Sequence, residues 1–257
     1  MKAISGKLAL ITGASAGIGE ACARRFAAEG ANLALWARRV DRLEGLAQEL
    51  ESTYGVETHI AGVDIRDRGA VRSEADSMLE TQLCPDIVVN NAGLAAGMEP
   101  FQDSDPEDWD LMIDTNVKGL LYVSRFFLPS MIERGVGHII MVGSIAGHLA
   151  YPSGHVYNAT KFAVRALTEA INVDVVETPI RISSVDPGWV RTEFATVRYK
   201  GDEEKAEAVY DGYEPLHAED VAEAVLWVSA QPLHVNVTDL VMLPTGRRNA
   251  YVMDGKG

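Results

Sequence analysis

The chain has 257 residues, 47% hydrophobic and 23% charged, enough to build a sizeable packed core and unlike a disordered chain. Asp and Glu total 37 against 23 Lys and Arg. The formal charge of −14 opposes nucleic acid and anionic membranes as partners, so any anion site has to be built from local cations.

The acidic excess fits a salty habitat and simple solubility alike. The two cysteines, Cys22 and Cys84, form no CxxC, and the six histidines form no HExxH. Neither a disulfide framework nor a metal site is expected, and a reducing cytoplasm is the expected location. The Met1–Lys7 start lacks the apolar run of a secretion signal, and no stretch is long and apolar enough for a membrane span.

In chain order, 8–12 (LALIT) reads as a buried strand, followed by a helix over 18–29 that Gly30 closes. Strand 32–36 and helix 40–52 follow, then strand 57–63, helix 67–80 and strand 86–90. Helices are predicted at 106–114 and 116–133, a strand at 138–142, a long helix at 154–177 and a strand at 180–185. Helix 218–230 and an edge strand at 238–243 end the pattern. Short, continuous apolar strands alternating with helices predict an α/β fold: one doubly wound parallel sheet of about seven strands, helices on both faces, in a single Rossmann domain over 1–257. The charged stretch 191–213 interrupts the alternation beyond a strand's carboxyl end. It reads as a mobile substrate lobe, and a solvated surface excursion is the plain alternative.

The turn Thr12-Gly13-Ala14-Ser15-Ala16-Gly17-Ile18-Gly19 joins the first strand to the first helix. Gly13 permits a tight turn, Gly17 a close backbone approach, and Gly19 close helix–strand packing. The helix N-terminus behind them offers free N–H groups to a pyrophosphate. The spacing is GxxxGxG rather than GxGxxG, so the position at the first strand–helix junction carries the assignment. The second strand ends Leu35-Trp36-Ala37-Arg38-Arg39, without the carboxylate that would bind a ribose 2′-hydroxyl. Arg38 is placed to fork onto a 2′-phosphate, and Arg39 to stack on adenine or assist, which selects NADP(H). A surface arginine pair is the alternative. Asp64-Ile65 is placed to cap the adenine, and Asp64 equally suits a loop cap.

Tyr157 and Lys161 stand at i and i+4, on one helix face. A phenol of ordinary pKa about 10 needs to fall by about three units to serve near neutrality, roughly 4 kcal/mol of differential stabilisation. Lys161 and an oxidised nicotinamide, both positive, are expected to supply it together. Ser144, after strand 138–142, is placed to hold the substrate oxygen at the same point. Alone, Tyr-x-x-x-Lys is a common helix-face pair and Ser144 an ordinary loop residue.

Thr12–Gly19, Asn90-Asn91-Ala92-Gly93, Asn116, Ser144, Tyr157-x-x-x-Lys161 and Pro187-Gly188 together resemble the short-chain dehydrogenases/reductases over essentially the whole chain. The resemblance implies a catalytic tetrad of Asn116, Ser144, Tyr157 and Lys161. In it Ser144 polarises the carbonyl and Tyr157 transfers the proton. Lys161 binds the nicotinamide ribose and lowers the tyrosine pKa, and Asn116 holds a water in a proton relay. Asn91, Ala92 and Gly93 would line the cofactor, and Pro187, Gly188, Val190 and Thr192 its nicotinamide side. It also implies a homotetramer, or a homodimer, through helices 116–133 and 154–177.

Within that family, Asn91–Ala95, Gly97–Pro100, Met112–Asn116 and Thr192–Phe194 are similar to NADP-dependent 3-hydroxy acid dehydrogenases, and the general pattern to sulfoacetaldehyde reductases. Residues 145–156 and Trp189-Val190-Arg191 depart from the hydroxy-acid pattern. The resemblance implies interconversion of a small carbonyl compound and its alcohol. The substrate is expected to be polar and anionic, gripped by Arg198 or Arg191, with Lys200 a further basic candidate and His148, Tyr151 and His155 as polar neighbours. For each cation a surface ion pair is the alternative. An NADP(H)-binding sensor without chemistry, and a reductase of bulky hydrophobic carbonyls, are the competing readings.

Overall fold

The computed structural model describes residues 3–253. Met1 and Lys2, the head of the segment read as leaderless, and residues 254–257 lie outside it. The elements are β1 (Leu8–Thr12), α1 (Gly17–Ala28), β2 (Asn32–Ala37), α2 (Val40–Tyr54), β3 (Thr58–Gly62), α3 (Arg68–Glu80) and β4 (Ile87–Asn90). After these come α4 (Pro106–Ile113), α5 (Leu120–Arg134), β5 (His138–Val142), α6 (His155–Asp174) and β6 (Arg181–Pro187). The chain closes with β7 (Val190–Arg191), α7 (Glu193–Arg198), α8 (Glu203–Ala208), β8 (Leu216–His217), α9 (Ala218–Ser229) and β9 (Asp239–Met242).

Seven strands form one parallel sheet in the order β3-β2-β1-β4-β5-β6-β9. This is the doubly wound α/β architecture expected, with β9 at the edge. Successive side chains on a strand point to opposite faces, so each strand feeds two cores. Ala9 and Ile11 of β1 and Leu33 and Leu35 of β2 pack under α1, α2 and α9. Leu10, Ala34 and Trp36 pack under α3, α5 and α6. That double burial is why the strands read as unbroken apolar runs.

Two features differ from the expectation. The helices predicted at 106–114 and 116–133 are one helical path, because Asp114–Gly119 forms a π-helical turn that joins α4 to α5. The charged stretch 191–213 is organised: β7, α7 and α8 lie within it, and β7 pairs with β8 in a small second sheet. Among the described residues no helix is long and apolar enough to cross a membrane.

Candidate active site

Two cavities open at the carboxyl ends of the strands, where a doubly wound sheet keeps its ligands. The first, an elongated recess of about 360 Å³, runs from the glycine turn past Arg38 and Asp64 to Lys161 and Gly188. The second, about 430 Å³, lies under α7, Tyr151 and Trp189. Ser144, Tyr157, Gly188, Val190 and Phe194 line both. The two cavities therefore meet at the serine and tyrosine that the sequence singled out.

The glycine turn is built for an anion. Gly13 has φ +68°, and a Cβ there would press to 2.9 Å on Ala92. At Gly19 a Cβ would collide with the Gly13 carbonyl, which explains a glycine that lines neither cavity. Ala16, the residue capping α1, has no side-chain acceptor, so the first-turn N–H groups face the cavity uncapped. Behind the turn, the Thr12 hydroxyl accepts from the N–H groups of Asn91 (3.1 Å) and Ala92 (3.0 Å). The Asn91 amide donates back to the Thr12 carbonyl at 2.9 Å. Gly13, Ser15, Gly17, Ile18, Asn91, Ala92 and Gly93 all line the nucleotide cavity.

At its far rim Arg38 is exposed and, among the described residues, has no carboxylate partner. Arg39 is differently placed: its Nε donates to Ser15 at 3.2 Å and its Nη1 to Glu193 at 2.9 Å. Glu193 also takes Arg42 at 2.7 Å, so the root of α7 reaches across the cavity mouth to the start of α2. Asp64 and Ile65 line the wall, and Arg66 beside Asp64 holds its carboxyl below the usual range. Pro187, Gly188, Val190 and Thr192 form the opposite wall.

Tyr157 is 8% exposed and Lys161 likewise 8%, both on α6. Burial pushes the Tyr157 phenol up from its ordinary range, and neighbouring Tyr151 adds to this, while Ser144 and Arg198 pull the other way. Lys161 is not among the groups that pull the phenol down in the protein alone, without the nicotinamide expected to act with it. The Lys161 ammonium donates to the Val142 carbonyl at 2.9 Å and stands 5.9 Å from the tyrosine ring centroid. Burial brings Lys161 down to about 8, against the pull of Asp186. The Ser144 hydroxyl accepts from Ala146 N–H at 3.1 Å.

Asn116 lines neither cavity. Its amide donates to the Leu94 carbonyl (2.7 Å) and the Thr160 hydroxyl (3.1 Å), and its oxygen accepts from Leu94 N–H (2.9 Å). The side chain is thus engaged in strapping the 93–94 loop to α6 from within the π-turn, and π-turns often mark such working positions.

The candidate substrate residues separate. Arg198 donates from Nη1 to the Tyr151 hydroxyl at 3.0 Å, and its guanidinium lies 5.4 Å from the Tyr157 ring centroid. Its Nε is buried without an acceptor. Among the described residues Arg198 has no carboxylate partner, and it lines the second cavity with Tyr151. Arg191 lines neither cavity and pairs with Glu207 at 2.6 Å, because alternation along β7 turns it outward. Lys200 pairs with Asp108 at 2.8 Å.

His148 is also corrected: it lines neither cavity and turns to Asp186, a carboxylate 1% exposed that needs donors. His155 packs at right angles against the stacked pair Phe101 and Trp109. The group His148, Asp186 and Asp239 brings ligand-type atoms within 4.8 Å of one another, and none of the three lines either cavity. Arg66, Thr115 and Phe194 on the nucleotide wall, and Met98, Trp189 and Arg247 on the other, were not anticipated. Of these Phe194 carried a signal in its place two residues after Thr192, and Trp189 in the junction 189–191 that departs from the hydroxy-acid pattern.

Residues 7–203 match the family model described as short chain dehydrogenase. The chain is 46% identical over 238 residues to the NADP-dependent 3-hydroxy acid dehydrogenase YdfG of Escherichia coli K12, covering 92% of this chain and 94% of that one. It is 44% identical over 249 residues to sulfoacetaldehyde reductase 2 of Chromohalobacter salexigens, covering 96% and 98%. Among solved structures, a serine dehydrogenase in its closed form complexed with NADP+ superposes with a TM-score of 0.89 at 45% identity, covering 95% and 98%. An alcohol dehydrogenase from the archaeon Thermococcus sibiricus, complexed with 5-hydroxy-NADP, superposes with 0.84 at 33% identity, covering 96% and 100%. With the glycine turn, the Ser144–Tyr157 junction and this match along nearly its whole length, the chain belongs to the short-chain dehydrogenase family.

Proposed function

We propose that this NADP-dependent oxidoreductase interconverts a small anionic aldehyde or ketone and its alcohol, of the 3-hydroxy acid or semialdehyde type, with Tyr157 as the acid/base. The observation that carries the reading is Arg198, a cation without a carboxylate partner among the described residues, lying 5.4 Å from the Tyr157 ring centroid in the second cavity. Relatives named for a 3-hydroxy acid and for sulfoacetaldehyde support it, since carboxylate and sulfonate make the same demand on a guanidinium.

The uncapped α1 N-terminus, the glycine turn and Arg38 fit the pyrophosphate and 2′-phosphate of NADP(H). The bound cofactor supplies or accepts the hydride at the substrate carbon. Ser144 donates a hydrogen bond to the substrate oxygen and polarises it. In reduction Tyr157 gives its proton to that oxygen. In oxidation Tyr157 takes the alcohol proton. Lys161, charged below about pH 8, offers its ammonium from the same helix face. Asn116 positions the loop beside them.

The reading extends to a homotetramer in the cytoplasm. Phe162 (41%) and Val173 (67%) expose apolar area on α6, and Cys22 and Cys84 are unpaired. Sedimentation giving a monomer at micromolar concentration would refute the assembly. The test of function is an initial-rate screen with NADPH and NADH over malonic semialdehyde, succinic semialdehyde and sulfoacetaldehyde, and over serine, allo-threonine and 3-hydroxy acids in reverse. Arg198→Ala is expected to cost roughly tenfold or more in kcat/KM for the best anionic substrate. Unchanged kcat/KM sinks the anion reading, and cofactor binding without any turnover returns the non-catalytic one.

A further inference from the structure

The second cavity holds another arginine. Arg247 comes from the segment after β9 and lines the wall with Ala250, Trp189 and Val209. Its guanidinium lies 3.8 Å from the Trp189 ring centroid and 5.4 Å from that of Tyr213. Its Nη1 donates to the Tyr213 hydroxyl at 3.2 Å and to the Val209 carbonyl at 3.5 Å. Among the described residues neither its Nε nor its Nη2 has an acceptor, and no carboxylate pairs with it.

That isolation is informative on this chain. With 37 acidic and 23 basic residues, most cations near the cavity are neutralised: Arg191 by Glu207, Lys200 by Asp108, Lys205 by Asp202. Arg198 and Arg247 are the arginines of the wall, and among the described residues neither is. Arg247 is held by neutral groups, an indole face, a phenol and a carbonyl, which fix the guanidinium plane and leave its charge intact. Stacking of this kind presents the edge of the fork for two-point recognition of a planar acid. The two arginines stack on different rings, Arg198 on Tyr151 and Tyr157, Arg247 on Trp189 and Tyr213. The cavity therefore has two cationic poles, one at Tyr157 and one at Trp189 and Tyr213.

We propose that Arg247 forms a distal anion subsite and that the preferred ligand carries two acidic groups, one on Arg198 and one on Arg247. An oxo- or hydroxy-dicarboxylic acid, or its mixed carboxylate–sulfonate counterpart, meets both. The inference rests on reading this cavity as the substrate site.

The test uses the holoenzyme with saturating NADP+ and dead-end inhibitors in matched pairs. The linear dicarboxylates from malonate to adipate are compared with monocarboxylates of the same chain length, in the wild type, Arg247→Gln and Arg247→Lys. One dicarboxylate length is expected to inhibit roughly tenfold more tightly than its monocarboxylate match. Arg247→Gln should bring that ratio to about one, and Arg247→Lys should retain part of it. A wild type with no dicarboxylate preference at any length overturns the proposal. So does an Arg247→Gln that weakens both series equally, as a mere fastening of the C-terminal segment would. If Arg247→Gln does not fold, the wild-type series and Arg247→Lys decide. Failure here leaves the anion reading standing wherever Arg198→Ala still loses activity on a monoanionic substrate.

Discussion

Arg38→Ala and Arg39→Ala separate two adjacent cations at the end of β2. Both line the nucleotide cavity, but only Arg39 is already committed, to Glu193 at 2.9 Å and Ser15 at 3.2 Å. Arg38 brings its whole charge to a 2′-phosphate. A charge-assisted hydrogen bond contributes about 1.5–3 kcal/mol, so Arg38→Ala should lower kcat/KM for NADPH by roughly 10- to 150-fold. Arg39 can bind phosphate only by giving up or sharing Glu193. That pair is 44% and 50% exposed, so the exchange nets about 0–1 kcal/mol, or up to roughly fivefold. Initial rates with NADPH and NADH on the same substrate give the cofactor preference, and titration of NADPH fluorescence gives the affinity without a substrate. The preference for NADPH should collapse in Arg38→Ala and persist in Arg39→Ala. The reasoning fails if Arg39→Ala costs more than Arg38→Ala, or if Arg38→Ala penalises NADH as much as NADPH.

Tyr157→Phe should cut kcat by about 100- to 10,000-fold while NADPH still binds, measured by single-turnover rates beside the same titration. Lys161→Met should be inactive yet more heat-stable at pH 7. Burial holds the folded-state pKa of Lys161 at about 8, so the unfolded chain binds more protons between there and the ordinary lysine range. Protonating the buried amine therefore costs stability below about pH 8, and the cost disappears as pH rises through that window. Less the lost bond to Val142, the gain is on the order of 2 kcal/mol, and it should vanish above about pH 10.5 in melts across pH. A variant less stable than wild type at pH 7 contradicts this account.

The sheet was legible because each strand serves two cores, leaving apolar runs that no surface strand would carry. The glycine turn was legible from its place at the first strand–helix junction, whereas Ser144, Tyr157 and Lys161 stood out only through the resemblance of the whole motif set, since their local spacing alone is common. The π-turn at 114–119 was not: widening one helical turn leaves no compositional trace, and two helices were read where one path exists. Nor did charge distinguish Arg191 from Arg198. The strand pleat turns the first to Glu207, and the helix turns the second to Tyr151. His148 was misplaced because its partner Asp186 lies 38 residues on, and nothing local announces a buried carboxylate. Arg247 reaches the cavity only through stacking on Trp189, a long-range contact that spacing does not encode.

Val190 and Phe194 belong to the walls of both cavities, and Glu193 between them reaches to α2. One short segment therefore answers to two occupants. If either occupant shifts its equilibrium, the free energy of coupling is shared equally by the other. Cofactor and substrate affinities on this chain are then not separate quantities to be tuned one at a time. A change at the root of α7 that alters how strongly cofactor favours substrate binding alters how strongly substrate favours cofactor binding by the same factor.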